Sequence, residues 1–153
     1  MHGVVIERLE SPAAAQATGP WQPPQLAVIV PSYNERENIP LLYEKVTLAL
    51  ADIPFEFIVV DDNSPDGTAD LVKEMGRQHG NVRCIHRIGR RGLSSACIEG
   101  MSATAAPFIA VIDADLQHDE AVLPEMYRRA VAGDDIVVGS RYVGAGSAGD
   151  GLS

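Results

Sequence analysis

The sequence contains little of what marks several protein classes. Its 153 residues include two cysteines and 5% aromatic residues. Cys84 and Cys97 lack C-x-x-C spacing and a local Cys/His cluster, so they do not form a zinc motif and fit two reduced thiols of a cytoplasmic protein. No apolar run approaches the roughly 18 residues of a membrane span, and no signal-peptide pattern opens the chain. We therefore expect a soluble protein.

Positive charge is also scarce. The chain has 12 Lys and Arg residues and 21 Asp and Glu residues, which gives a net charge of −9. This balance argues against a nucleic-acid-binding surface, which would carry a basic stripe. One local basic cluster exists, and we interpret it as a solvated loop. Its members are Arg83, His86, Arg87, Arg90 and Arg91.

The common nucleotide-binding glycine motifs are missing as well. No G-x-G-x-x-G follows an apolar run, and no G-x-x-x-x-G-K-[ST] occurs. The sequence therefore gives no support to a nicotinamide-dependent dehydrogenase or a P-loop phosphohydrolase.

What the chain does have is a regular alternation of apolar runs and helical patterns. Residues 1–25 are rich in Ala and Pro and predict a disordered tail, whereas residues 26–153 predict one domain. Five short strands are expected: 26–30, 55–60, 82–86, 108–112 and 136–138. Four helices are expected between them, at about 36–51, 66–79, 92–105 and 120–132. This order predicts an α/β fold with a doubly wound, mostly parallel sheet.

Polar residues follow three of these predicted strands. They occupy residues 31–35, 61–64 and 113–115, where each strand reaches its carboxyl end. Ligands of doubly wound sheets bind outside the carboxyl ends of the strands. The three loops are therefore expected to converge on one functional edge.

The loop after the fourth strand has the pattern D-x-D-x-Q. Residues alternate between faces along a strand, so Asp113, Asp115 and Gln117 could project together while Ala114 and Leu116 face inward. Oxygen ligands of this kind suit Mg²⁺ bound to a phosphate ester. An ordinary polar turn is the simpler alternative.

An EF-hand is a second alternative for this loop, and its pattern does not fit. His118 stands where the EF-hand has Gly, and Pro124 stands where it has Glu.

Five segments together resemble a known family. They are 30–38 (VPSYNEREN), 60–68 (VDDNSPDGT), 92–96 (GLSSA), 113–118 (DADLQH) and 139–142 (GSRY). In this order and spacing they are similar to a family 2 glycosyltransferase of the dolichyl-phosphate (polyprenyl-phosphate) mannosyltransferase type, which has a nucleotide-sugar-binding fold of the GT-A type.

The resemblance implies the roles of individual residues. The nucleoside pocket would be lined by Pro31, Tyr33, Glu35, Val60 and Asp62, with Asp62 accepting hydrogen bonds from the base. The sugar-nucleotide diphosphate would be bound by Asp113, Ala114, Asp115, Gln117 and Arg141. Mg²⁺ or Mn²⁺ would be held by Asp113, Asp115 and Gln117, and Asp115 would be catalytic.

Two residues of these motifs also have structural interpretations. Tyr33 could be a packed aromatic residue instead of a stacking platform for the base. Asp66, within the second motif, is expected to cap the following helix.

The same resemblance implies the reaction and its setting. The enzyme would transfer a hexose, above all mannose from GDP-mannose, to a polyprenyl (dolichyl) phosphate, with inversion of configuration at the sugar carbon. The reaction would take place at the cytoplasmic face of a membrane. Members of the family continue well beyond residue 153, so the domain is expected to be incomplete at its carboxyl end. The alternatives are a non-catalytic nucleotide-sugar-binding fragment and a related transferase that uses UDP-glucose. A nucleotidyltransferase would carry a Gly-rich basic loop after the first strand, where this chain has Pro31 to Glu35.

Overall fold

A computed structural model describes residues 22–115 and 120–134 of the chain. Its strands are β1 (Leu26–Ser32), β2 (Phe55–Asp61), β3 (Val82–His86) and β4 (Phe108–Val111). Its helices are α1 (Asn38–Ala49), α2 (Thr68–Gln78), α3 (Leu93–Ser102) and α4 (Leu123–Val131), with a 3₁₀ turn at Glu120–Val122 before α4. Within these residues no helix has the length and apolar character needed to cross a membrane.

The four strands form one parallel sheet in the order β3, β2, β1, β4. The chain moves outward from β1 through β2 to β3 and then crosses back to place β4 on the other side of β1. This reversal of strand order confirms the predicted doubly wound α/β sheet and puts its switch point between β1 and β4. The fifth predicted strand, at 136–138, lies outside the described residues. Residues 1–21 of the predicted tail also lie outside them.

Helices cover both faces of the sheet. Alternate residues of β1, beginning with Leu26, pack with α1, α2 and the start of α4 in the larger core. The intervening residues of β1, Ala27 and Ile29, pack with Ile58, Val60 and Ala96 of α3 in a smaller core. Successive residues of β1 enter opposite cores because side chains alternate between the two faces along a strand. Because both faces are covered, β1 and β2 are apolar along nearly their whole length.

The predicted apolar face of α1 is confirmed. It consists of Ile39, Leu42, Tyr43, Val46 and Leu50, all of them buried. The helix is shorter than the predicted 36–51, and the turn before it is closed by the Glu35 carbonyl, which accepts the N–H groups of Asn38 and Ile39.

Helix α3 lies unusually close to the sheet at Gly100. A Cβ built on Gly100 would overlap Ile29 Cγ2 and would lie 3.2 Å from Val60 Cγ2. Glycine therefore lets the helix backbone rest directly on the two central strands, and this contact fixes the height of α3 above the sheet.

Candidate functional site

The loop that follows β1 presents polar side chains at the switch point. Tyr33 is 46% exposed, and Asn34 adopts the left-handed conformation with φ 56°. Asn tolerates this conformation better than most side chains. The Asn34 N–H donates to Ser64 Oγ at 2.8 Å, and Glu35 accepts a hydrogen bond from the Asn38 side chain at 2.7 Å. The loop therefore has a defined shape and is tied to the loop after β2.

The loop after β2 is organised around the buried carboxylate of Asp61. This carboxylate accepts the N–H of Ser64 at 3.0 Å and its hydroxyl as well. The Asp62 N–H donates to the carbonyl of Ser32 at 3.1 Å, and Asn63 has φ 55°. Asp61 is thus structural, and it leaves the next residue, Asp62, at the edge of the site.

Asp62 is held by an arginine that is completely buried. Arg87 Nε donates to Asp62 Oδ1 at 2.6 Å and Arg87 Nη2 to Asp62 Oδ2 at 3.1 Å, a bidentate ion pair. The side chain of Asp62 is 14% exposed and that of Arg87 is 0% exposed. The Gly92 N–H also donates to Asp62 Oδ2 at 3.0 Å.

The interpretation of the basic cluster as a solvated loop is therefore wrong for Arg87. It is also wrong for Arg83, which is 17% exposed and contacts Glu56 and the carbonyl of Ala103. Both arginines are retained in the interior because buried carboxylates and carbonyls accept their donors. Arg90 and Arg91 are exposed, as predicted.

The exposed arginines of that cluster have different partners. Arg91 stacks its guanidinium over the Tyr33 ring, with Cζ 4.7 Å from the ring centroid. Arg90 pairs with Glu99 of α3, and this hydrogen bond lowers the pKa of Glu99. Tyr33 is therefore not a packed core aromatic: it lies on the surface with one face against a cation.

The loop after β4 presents Asp113 and Asp115 to solvent, while Ala114 between them is buried in the larger core. This is the alternation expected from the sequence for these three residues. The Ile112 N–H donates to the carbonyl of Ile29 at 3.0 Å, which joins the start of the loop to β1. Two outward carboxylates beside the switch point are a donor set that suits a hard divalent cation.

The described part of this loop, up to Asp115, offers two carboxylates as candidate metal ligands. Within residues 22–115 and 120–134, no group of three or more His, Cys, Asp or Glu side chains is placed to hold an ion. Two carboxylates still fit Mg²⁺, which typically keeps several waters and takes substrate phosphates as further ligands.

The other predicted site residues have different positions. Pro31 is the last residue but one of β1 and pairs with Val60 of β2, whose side chain is fully buried in the smaller core and does not face the site. Asp66 has the expected structural role at the start of α2: it lies one residue before the N-cap, Gly67, and accepts the N–H of Thr68 at 3.0 Å. Burial alone would raise the pKa of Asp66, but hydrogen bonds from Thr68 and Arg36 lower it. Gln117 and Arg141 lie outside the described residues.

The contribution of Arg87 was not predicted from the sequence. Its position directly after β3, at the same edge as the three polar loops, was the available signal. An arginine next to a strand end in an acidic chain could have been paired with one of the loop carboxylates, but the partner depends on tertiary contacts across 25 residues.

Comparison with protein-family models assigns the chain to a family. The family model described as "Glycosyl transferase family 2" matches residues 27–150. The chain belongs to glycosyl transferase family 2. The predicted resemblance is thereby confirmed at the level of the family.

Two curated proteins are similar to this chain over most of its length. Dolichol-phosphate mannosyltransferase of Pyrococcus furiosus is 41% identical over 122 residues, covering 80% of this chain and 34% of that protein. Polyprenol monophosphomannose synthase of Mycolicibacterium smegmatis is 34% identical over 142 residues, covering 90% and 51%. The chain therefore spans between a third and a half of the length of these relatives.

A solved structure supports the fold. Glucosyl-3-phosphoglycerate synthase of Mycobacterium tuberculosis, in its complex with Mn²⁺, UDP-glucose and phosphoglyceric acid, aligns with a TM-score of 0.57 at 22% identity. The alignment covers 80% of this chain and 43% of that one. The chain thus has the α/β architecture of GT-A glycosyltransferases.

Proposed function

We propose that this chain forms the donor-binding part of a glycosyltransferase that moves mannose from GDP-mannose to a polyprenyl (dolichyl) phosphate. The observation that carries the proposal is the convergence of three polar loops at the switch point of the sheet. The names of the two curated relatives favour mannose as the sugar and a polyprenyl phosphate as the acceptor.

In this proposal different loops bind different parts of the nucleotide-sugar donor. Tyr33 and Asp62 lie at the ends of neighbouring strands and offer an exposed ring and a carboxylate, which suit a nucleobase. Asp113 and Asp115 offer outward carboxylates at the end of β4, which suit a metal-bound diphosphate. In this proposal Gln117 completes the metal ligands, Arg141 contacts phosphate, and Asp115 is the catalytic carboxylate.

The chemistry requires stabilisation of a leaving nucleoside diphosphate. When bound, Mg²⁺ or Mn²⁺ supplies positive charge that offsets the charge developing on this group. The chain's own residues orient the donor, with Asp62 on the base and Asp113 and Asp115 on the diphosphate side. The acceptor phosphate is already anionic at neutral pH, so a strong general base is not needed. Direct attack on the sugar carbon inverts its configuration.

A calorimetric titration combined with a transfer assay tests the proposal. GDP-mannose and UDP-glucose are titrated into the chain with and without Mn²⁺, and mannosyl transfer to a polyprenyl phosphate in detergent micelles is then measured. We expect Mn²⁺-dependent binding of GDP-mannose. Asp115→Asn should weaken this binding at least about tenfold, since charged ligand contacts contribute about 1.5–3 kcal/mol each.

Glu125→Gln is the matched control, because it removes the charge of another exposed carboxylate, which lies on α4. It should leave binding unchanged. Metal-independent binding, or unchanged binding in Asp115→Asn, would contradict the metal assignment. Tighter binding of UDP-glucose than of GDP-mannose would mean that UDP-glucose is the donor. Metal-dependent binding without transfer would favour a donor-binding fragment that has no transferase activity by itself.

A further inference from the structure

The Asp62 carboxylate has little hydrogen-bonding capacity left for a ligand. An ionised carboxylate offers about four acceptor positions. Among the described residues, three donors occupy it: Arg87 Nε on Oδ1, and Arg87 Nη2 with the Gly92 N–H on Oδ2. One position therefore remains, on Oδ1, and the side chain is exposed enough to offer it.

Arg87 itself is in no position to touch a ligand. Its side chain is 0% exposed, and its remaining donors point into the protein. Arg87 Nη1 donates to Ser95 Oγ at 2.8 Å, and Nη2 also donates to the carbonyl of Gly92 at 3.1 Å. Glu99 Oε1 lies 3.8 Å from Nη1. Any influence of Arg87 on the donor site must therefore pass through Asp62 or the start of α3.

We propose that Arg87 is a positioning residue for base recognition: it holds Asp62 in one orientation and leaves it a single acceptor for one ring N–H of the nucleobase. The inference deepens the proposed function and rests on it. Guanine presents a ring N–H and an exocyclic amino group side by side, and Asp62 can accept only one of the two without losing Arg87 or Gly92; the ring N–H is the donor we assign to it. Other groups must bind the amino group if it is recognised.

The first experiment asks whether Arg87 acts on the base alone. Arg87→Lys keeps the positive charge but cannot bridge both carboxylate oxygens. It should weaken GDP binding about tenfold or more in the presence of Mn²⁺, because the charged contact to the base loses its geometry. Pyrophosphate with Mn²⁺ has no base, and its affinity should stay within about twofold. In an Asp62→Asn background, Arg87→Lys should add nothing further.

Arg90→Lys is the matched control. It makes the same change three residues away, on an exposed side chain that pairs with Glu99. It should leave both affinities unchanged. Circular dichroism melting shows whether each variant is folded at the assay temperature. A parallel loss of GDP and pyrophosphate affinity in folded Arg87→Lys, or no loss of either, would overturn the positioning role.

The second experiment counts the acceptors and does not depend on Arg87→Lys being folded. Inosine diphosphate differs from GDP by lacking the exocyclic amino group. If Asp62 accepts only the ring N–H, the ratio of GDP to inosine diphosphate affinity is the same in the unaltered chain and in Asp62→Asn. A ratio that changes fivefold or more would mean that the amino group binds Asp62, and the single-acceptor inference would be wrong.

The two proposals fail in distinguishable ways. If the unaltered chain binds neither GDP nor UDP with Mn²⁺, the proposed function is overturned and the inference falls with it. If GDP binds but the Arg87 or inosine results go against expectation, only the inference is overturned.

Discussion

Replacing Gly100 with alanine is expected to lower the free energy of unfolding by about 2 kcal/mol. The new Cβ would overlap Ile29 Cγ2 and would also lie 3.3 Å from Ile29 Cδ1. Ile29 and Val60 are 0% exposed on the two central strands, so neither can move aside easily. Overpacking of this kind costs about 1–3 kcal/mol, and the severe overlap places Gly100→Ala near about 3. The better helix propensity of alanine returns about 1 kcal/mol.

Thermal unfolding followed by circular dichroism measures this effect. For a chain of this size, about 2 kcal/mol corresponds to a fall in Tm of roughly 4–8 °C. Ser102→Ala, on the exposed side of the same helix, is the control and should leave Tm unchanged or raise it slightly. A Tm for Gly100→Ala equal to or above that of the parent would refute the argument that α3 rests directly on the sheet.

Two further predictions concern buried charge and a buried thiol. Arg83→Met should lower the free energy of unfolding by about 2–4 kcal/mol in urea titrations, because it removes the guanidinium beside the buried Glu56 carboxylate. The control is Arg77→Met, which breaks an exposed ion pair and should lower the free energy of unfolding by less than about 1 kcal/mol. Equal losses in the two variants would contradict this account. Burial raises the pKa of Cys84 to about 11, so in a Cys97→Ala chain alkylation should be slow at pH 8 and accelerate toward pH 11. Because the unfolded thiol, with a pKa near 9.0, loses its proton first, stability should also fall as the pH rises from about 9 to about 11. Rapid alkylation of the folded chain at pH 8 would show that the thiol is not protected.

The alternation of elements could be predicted from the sequence because it depends on local periodicity. Apolar residues at helical spacing placed the buried face of α1 correctly, and short β-rich runs placed β1 to β4 to within about two residues. Element ends were less accurate. The predicted helix 36–51 is two residues longer at each end than α1, because periodicity does not mark the residue at which a helix begins or ends.

The candidate site divides in the same way. The position of polar loops after three strands follows from sequence, because the carboxyl ends of parallel strands share one edge. The role of each side chain does not. Val60 belongs to the core because β2 turns that face toward α3, and Asp61 serves the loop while its neighbour Asp62 remains at the site.

By itself, the sequence determined the α/β alternation, the family, and the presence of Asp113 and Asp115 in a motif after the fourth strand. All three depend on the order and spacing of residues along the chain. Only the tertiary structure decided that Arg87 is buried and paired with Asp62. The physical reason is that burial of a charge depends on partners brought together by folding, here across 25 residues, and a basic residue in a loop carries no local mark of such a partner.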